Sequence, residues 1–136
     1  MSQENVSIVR QAIEAFNEFG FDGIGTSDLV TDDFEFHEPP EQPAPRVARG
    51  RTEVQALAAE FDAAWEEHQS EPQEIRAVDA NRVLLVSVER FKGRNGIELE
   101  APFAAIFTVR DGKISHWHAF WDKQKALDAA GLQRKG

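Results

Sequence analysis

The stretch DDFEFHEP, residues 32–39, alternates polar and apolar side chains and then meets the pair Pro39-Pro40. The alternation predicts a short strand over Phe34–Glu38, which the prolines end. Residues 39–51 hold four prolines and Gly50, so they are expected to form an extended loop. Such a loop can be the lip of a cavity or only a connector, and the sequence favours neither.

An amphipathic helix is predicted upstream of this strand. Residues 5–19 carry apolar side chains on one helical face, with Ser2 or Asn5 as a candidate cap and Gly20 as a candidate end. The segment 21–29 contains two glycines and is predicted to be a loop with one short helical turn. The N-terminal part is therefore expected to be helical.

The chain downstream of the proline-rich loop is predicted to be one helix and then mostly strands. Thr52 is a candidate N-cap for the helix, and Pro72 marks its expected exit. Turn pairs at Asn95-Gly96 and Asp111-Gly112 are typical of β-hairpins. The predicted strands are 73–79, 82–92, 97–109 and 113–122, and a terminal helix follows over 124–130. Helices on one face of an antiparallel sheet make an α+β domain.

The charge and composition of the chain exclude several classes of function. A net charge of −9 disfavours nucleic acid and anionic membrane surfaces, and the basic residues cluster only at Arg46, Arg49 and Arg51. No cysteine is present, which excludes disulfides, cysteine-ligated zinc and iron–sulfur clusters. No apolar run reaches the roughly 18 residues of a membrane span, and Met1–Glu14 lacks the apolar core of a signal peptide. A cytoplasmic protein is expected.

These predicted elements, in this order, resemble the SnoaL-like branch of the nuclear-transport-factor-2-like superfamily over almost the whole chain. The segments that carry the resemblance are Val6–Phe19, Asp32–Pro39, Gly50–Glu53, Val109–Ile114, and Phe120–Asp122 with Ala126-Leu127. The resemblance implies one α+β domain over residues 1–136, in which a cone-shaped, curved antiparallel sheet wraps around the N-terminal helices and encloses an apolar pocket. It also implies a homodimer formed through the other face of the sheet. Members include isomerases, epoxide hydrolases, polyketide cyclases, dehydratases and non-catalytic proteins, so the fold alone cannot choose a function.

The ketosteroid isomerases of this superfamily use a carboxylate just before a proline at the end of the first strand. Glu38-Pro39 stands at that position, and an apolar cavity would raise the pKa of the carboxyl toward neutrality. Their oxyanion hole needs a tyrosine and a protonated aspartate, whose positions correspond to about Ile13 and Ala105. This chain has no tyrosine, so that mechanism is not expected.

The epoxide hydrolases related to limonene-epoxide hydrolase use an Asp–Arg–Asp set. Arg90 matches the arginine, but Lys92 and Ala119 stand near the two aspartate positions. Only one of three groups is present, so this mechanism is not expected either.

The expected pocket follows from strand parity combined with the resemblance, since side chains two apart share a face. The residues predicted to bind a ligand are Ile13, Phe16, Phe36, Phe61, Trp65, Arg90, Phe103, Ala105, Phe107, Trp117 and Trp121, with Glu38 as the candidate catalytic acid/base. Glu38 and Arg90 would be the main polar groups of the pocket. The alternatives are that the rings fill the core, that Glu38 pairs with a nearby arginine, and that Arg90 forms a surface ion pair with Glu89 or Glu100.

His116 and His118 share one face of the last strand, and His37 could approach them. A metal site of this kind would need a firmly placed further ligand. The same parity places both histidines opposite Trp117, toward solvent or a partner subunit. Hydrogen bonding at a dimer face is therefore expected, and neither a metal nor a cofactor.

The sequence leads to two hypotheses. The first is a protein whose pocket binds a small apolar organic molecule, with cofactor-independent isomerisation, dehydration or hydrolysis by Glu38 as the possible chemistry. The second is a non-catalytic, dimeric association module with a vestigial pocket. Several polar residues of the studied enzymes are replaced by apolar ones in this chain, which favours the second hypothesis. The expected aromatic lining favours the first.

Overall fold

This computed structural model describes residues 2–25 and 27–131, which contain four helices and six strands. Met1, Thr26 and residues 132–136, which belong to the predicted domain, lie outside the described residues. In chain order the elements are α1 (Ser2–Phe19), α2 (Phe21–Gly25), β1 (Val30–His37), β2 (Val47–Arg49), α3 (Gly50–Ala64), β3 (Glu67–Ala77), β4 (Arg82–Lys92), β5 (Glu98–Arg110), β6 (Lys113–Phe120) and α4 (Lys123–Ala129).

The six strands form one sheet in the order β2-β1-β6-β5-β4-β3. Strands β3 to β6 pair as consecutive antiparallel hairpins, and β2 pairs antiparallel with β1. The β1–β6 pair is parallel, with Phe36 opposite Trp117. The predicted antiparallel sheet is therefore confirmed apart from this one pair. β2 was not predicted, since its three residues are too few for a periodic signal.

Helices α1, α2 and α3 cover one face of the sheet, called the inner face. Their apolar sides and the inner side chains form the main core, in which Val9, Ile24, Phe34 and Val54 are fully buried. α4 packs on the opposite, outer face with residues of β4, β5 and β6. The α+β fold with N-terminal helices against the sheet is confirmed, and α4 adds a second layer behind it.

The boundaries of α3 correct two predictions. The helix begins at Gly50 with Arg49 as N-cap, so Thr52 lies inside it and does not cap it. The helix ends at Ala64. Pro72 lies instead in the edge strand β3, next to an irregularity in the pairing of that strand with β4. An edge strand tolerates proline because its outer N–H groups need no partner in the sheet.

The predicted hairpin at Asp111-Gly112 is confirmed. Both residues have positive φ, 52° and 78°, as a two-residue turn of the type I′ kind requires. At the other end of the chain, Asn5 does not cap α1: it is buried and donates to the carbonyl of Ala80 at 2.9 Å. None of the described helices is long and apolar enough to cross a bilayer.

Candidate ligand cavity

A cavity of about 280 Å³ lies between the inner face of the sheet and the helices. Its lining is mostly apolar and aromatic, with a few polar groups. The lining residues are Ile13, Phe16, Phe21, Phe36, Glu38, Pro39, Gln42, Arg46, Leu57, Glu60, Phe61, His68, Ser70, Leu85, Glu89, Phe91, Phe103, Trp117, Ala119 and Trp121.

Aromatic rings in edge-to-face contact make up one wall of the cavity. Phe21 lies with its ring centroid 4.8 Å from that of Phe36, and Phe36 lies 5.4 Å from Trp117. Phe16 packs on Trp117 at 6.3 Å and on His68 at 4.7 Å, both edge to face. Such pairs are favourable beyond their buried area and hold one another's orientation. The wall is therefore a rigid, apolar surface.

A buried carboxylate faces this wall from β4. Glu89 is only 4% exposed, and its Oε1 lies 2.8 Å from Nε2 of His68 on β3. Its Oε2 lies 2.7 Å from the hydroxyl of Ser70 and 2.6 Å from that of Ser87. The two hydroxyls and the imidazole thus converge on the two oxygens of one carboxyl group. We call Glu89, His68, Ser70 and Ser87 the buried polar cluster.

The edge strand that carries His68 is held by α1. Asn17 accepts from the Ser70 backbone N–H at 2.7 Å and donates to the Ser70 carbonyl at 2.9 Å. The imidazole is also stacked on Phe91, with centroids 4.3 Å apart. The position of the His68 ring is therefore determined from both sides.

Two ring nitrogens of residues that line the cavity are buried without a partner among the described residues. They are Nδ1 of His68 and Nε1 of Trp117. Both atoms are enclosed by the packed aromatic side chains around them, such as Phe16, which contacts both rings.

An ion pair lies at another part of the lining. Arg46 donates to both carboxylate oxygens of Glu38, at 3.0 and 3.1 Å, and also bonds Glu60 on α3. The Arg46 hydrogen bonds hold the pKa of Glu38 below its ordinary value, and this outweighs the opposing effect of burial. The expectation that the cavity raises the pKa of Glu38 is therefore wrong, and the alternative pairing with an arginine is what the structure contains.

The proline-rich loop contributes to the lining as well as connecting strands. Pro39, Gln42 and Arg46 all face the cavity. Glu41 accepts hydrogen bonds from the backbone N–H groups of Trp121 and Asp122, at 3.1 and 3.0 Å. These hydrogen bonds hold the loop against the end of β6, where it forms a lip of the cavity.

Comparison with protein families places this architecture. The SnoaL-like domain model matches residues 9–117. The chain belongs to the SnoaL-like family. No curated protein matches it.

Solved structures similar to this SnoaL-like chain share its fold. An NTF2-like protein of unknown function from Burkholderia pseudomallei aligns with a TM-score of 0.76 at 19% identity, over 94% of this chain and 97% of the other. An NTF2-like protein from Burkholderia xenovorans aligns with a TM-score of 0.70 at 26% identity, over 96% and 97%. TerC, co-crystallised with polyporic acid, aligns with a TM-score of 0.74 at 16% identity, over 94% and 98%.

Most of the residues predicted for the pocket of this SnoaL-like chain line the cavity, and four do not. Those that line it are Ile13, Phe16, Phe36, Glu38, Phe61, Phe103, Trp117 and Trp121. Trp65 lies against Phe91 with centroids 4.8 Å apart, outside the lining. Ala105 and Phe107 are fully buried in the core instead.

Arg90 is the fourth, and its predicted place in the pocket is wrong. Its side chain is half exposed and pairs with Glu100, as the alternative of a surface ion pair anticipated, and with Glu71 rather than Glu89. Its neighbour Glu89 is the residue that points inward. The two are adjacent in one strand, so only one of them can face the cavity.

Sequence reasoning missed His68 and Glu89. The usable signal was the row Leu85, Ser87, Glu89 and Phe91, which places a carboxylate between apolar side chains at alternate positions of β4. The row was not recognised because the match of Arg90 to the arginine of the epoxide hydrolases assigned that residue, rather than Glu89, to the pocket.

The histidines of β6 lie on the outer face, as parity predicted. His118 stacks on His37, and Nε2 of His37 lies 3.0 Å from a carboxylate oxygen of Glu35. Burial and the neighbouring imidazoles lower the pKa of His118 to about 4. Among residues 2–25 and 27–131, no group of three candidate ligand side chains could hold a metal ion.

Proposed function

We propose that the cavity binds a small, neutral and largely apolar organic molecule that carries a polar group. The observation that carries this proposal is a cavity of about 280 Å³ whose lining is mostly apolar and aromatic. The apolar part of a ligand gains roughly 25 cal/mol for each Å² that leaves water. The few polar groups of the lining can orient the polar group of the ligand.

The size of the cavity suits a compact ring system. Its volume of about 280 Å³ is roughly twice the ~150 Å³ that accommodates benzene in a protein interior. A two-ring molecule is therefore the upper range of ligand that the cavity holds without rearrangement.

The charges around the cavity favour a neutral ligand. Three carboxylates line it, those of Glu38, Glu60 and Glu89, and the guanidinium of Arg46 is already bonded to the first two. An organic acid would enter a region of negative potential without an unengaged cation to receive it. Carboxylates and phosphates are therefore not expected to bind in this cavity.

Small-molecule binding is consistent with the structural relatives, of which TerC was crystallised with polyporic acid. The same fold also occurs in proteins for which no activity is known. The rival hypothesis, a non-catalytic association module, differs in predicting that the cavity binds nothing.

The test is a thermal-shift screen with neutral ring compounds, including 2-tetralone, 2-naphthol and cyclohexanone, and with 2-naphthoate as the anionic counterpart. Binding to the folded state alone raises the midpoint, by an amount that grows with concentration. We expect the neutral two-ring compounds to raise it most and 2-naphthoate least. Failure of every compound to raise the midpoint would overturn the proposal and favour the association module.

A matched pair of variants locates the site. Trp117→Phe shrinks one aromatic side chain of the lining and is expected to weaken 2-tetralone binding about fivefold, which corresponds to roughly 1 kcal/mol of lost apolar contact. Trp65→Phe makes the same change outside the lining and is expected to leave binding unaltered. Equal effects of the two variants would place the bound ketone elsewhere.

A further inference from the structure

A second cavity, of about 220 Å³, lies next to the proline-rich loop on the side of the outer face. We call it the outer pocket, and we call the cavity described above the inner cavity. Its strand residues belong to the outer face, where His37 stacks on His118 and lies opposite Val47 of β2. The residues that line the outer pocket and not the inner cavity are His37, Pro40, Pro45, Val47, His118 and Phe120.

The two spaces share a partition. Glu38, Arg46 and Ala119 line both of them. Ala119 is held in β6, where it pairs with Ala105 of β5, and its side chain is a single methyl group. Arg46 lies at the end of the loop, and its side chain is 54% exposed. The side chains of Arg46 and Glu38 therefore make up most of the partition, and Arg46 is the larger of the two.

Two carboxylates hold the guanidinium of Arg46 in this partition. Nε and Nη2 donate to the two oxygens of Glu38, at 3.0 and 3.1 Å. Nη1 donates to both oxygens of Glu60 on α3, at 3.2 Å each. A planar guanidinium that is bonded in this bidentate way has a defined orientation, unlike the freely rotating ammonium of a lysine. The Arg46 side chain is therefore a fixed wall between the two spaces.

The backbone of Arg46 holds the loop independently of this side chain. Its N–H donates to Oε1 of Glu38 at 2.8 Å, and its carbonyl accepts from the Glu38 N–H at 3.0 Å. Both hydrogen bonds are available to any residue at position 46 other than proline. The wall can therefore be removed by substitution while the loop and Glu38 stay in place.

We propose that Arg46 is a specificity-determining residue, which closes the inner cavity toward the outer pocket and restricts the ligand to a compact molecule of at most two rings. The inference rests on the proposed binding function and adds the shape of the ligand to it. A longer molecule would have to displace the guanidinium and leave the carboxylates of Glu38 and Glu60 without their cation beside an apolar ring, which is costly. Such a cost gives specificity by rejecting the wrong molecule.

The experiment compares 2-tetralone with 6-phenyl-2-tetralone, which is the same ketone extended by one ring. Dissociation constants are measured with the full chain by tryptophan fluorescence and calorimetry. We expect wild type to bind the longer ketone at least about tenfold more weakly, a typical discrimination by a pocket of fixed size. Arg46→Ala is expected to strengthen binding of the longer ketone by about tenfold and to leave that of 2-tetralone unchanged. Arg49→Ala is the matched control, because Arg49 pairs with Glu35 and belongs to neither lining.

A second substitution locates the additional ring. Val47 lines only the outer pocket, so Val47→Phe introduced into Arg46→Ala should fill that space and abolish the gain for 6-phenyl-2-tetralone. If Arg46→Ala does not fold, Arg46→Gln takes its place, since glutamine is shorter but still donates to Glu38. Its gain is expected to be smaller and in the same direction.

Three results would overturn this inference and leave the binding function standing. They are equal affinities of wild type for the two ketones, an unchanged ratio of affinities in Arg46→Ala and Arg46→Gln, and a gain that persists when Val47→Phe is added. Absence of 2-tetralone binding to wild type would instead contradict the proposed function.

Discussion

The imidazole of His118 stacks on that of His37 across the parallel β1–β6 pair, with centroids 4.0 Å apart and planes inclined by 13°. Parallel pairing puts the two residues directly opposite each other, and His116 lies on the same face. Two imidazolium ions at this distance would repel each other. The stack therefore disfavours a positive charge on His118.

This stack makes stability depend on pH. Burial, followed by repulsion from His37 and His116, lowers the pKa of His118 from 6.5 to about 4, and only Glu35 opposes the shift. Between these values the unfolded chain binds more protons than the folded one, so the free energy of unfolding falls as the pH falls. The loss is on the order of 1 kcal/mol, because the ring is partly exposed to solvent.

His118→Gln is expected to remove this contribution and flatten the dependence of the unfolding free energy on pH over that range. Urea denaturation of wild type and variant at several pH values measures it, and NMR titration of the histidine C–H signals assigns it. A wild-type curve of the same slope as that of the variant would contradict the prediction.

Arg46 is expected to control the ionisation of Glu38. Arg46→Met removes the hydrogen bonds that lower the pKa of Glu38, so the pKa should rise while burial continues to oppose the charged form. Carboxyl ¹³C NMR titration measures the shift. Arg49→Met is the control, because Arg49 pairs with Glu35 and not with Glu38. A pKa of Glu38 that stays the same in Arg46→Met would show that the loop does not hold this pair in solution.

Phe107 belongs to the core, whereas Phe103 belongs to the lining of the cavity. Phe107 is fully buried and does not line the cavity, so Phe107→Ala should reduce the unfolding free energy by about 3–5 kcal/mol. Phe103 is partly exposed and lines the cavity, so Phe103→Ala should reduce it by only about 1 kcal/mol but change ligand binding. Urea denaturation and the thermal-shift screen give the two readouts. Equal losses of stability would contradict this division.

A homodimer remains a prediction from the family resemblance. Val86 and Val88 are half-buried on the outer face of β4, where α4 covers Leu84. If the outer face forms the interface, Val88→Glu should convert the dimer into a monomer, whereas Leu99→Glu on the β4–β5 hairpin should not. Light scattering distinguishes a monomer of 15.3 kDa from a dimer of twice that mass. A wild-type monomer at micromolar concentration would rule the dimer out.

Local pattern was enough to predict most of the elements. The helical stripe of residues 5–19 and the turn at Asp111-Gly112 depend on residues close in sequence, and both agree with the structure. The bounds of α3 were less accurate because Thr52 and Pro72 are ambiguous signals. Thr52 can cap or continue a helix, and a proline is as compatible with an edge strand as with a helix end.

The sequence by itself determined the α+β class and which side chains share a face of each strand, because period and turn chemistry are local. The family resemblance supplied the inward direction of Phe36, Phe103 and Trp117, and with it the outward direction of the β6 histidines. Only the tertiary structure decided the parallel β1–β6 pair and the position of Glu89 rather than Arg90 at the cavity. The physical reason is that strand pairing and the side of β4 that faces the helices depend on contacts between residues distant in sequence, which local alternation does not specify.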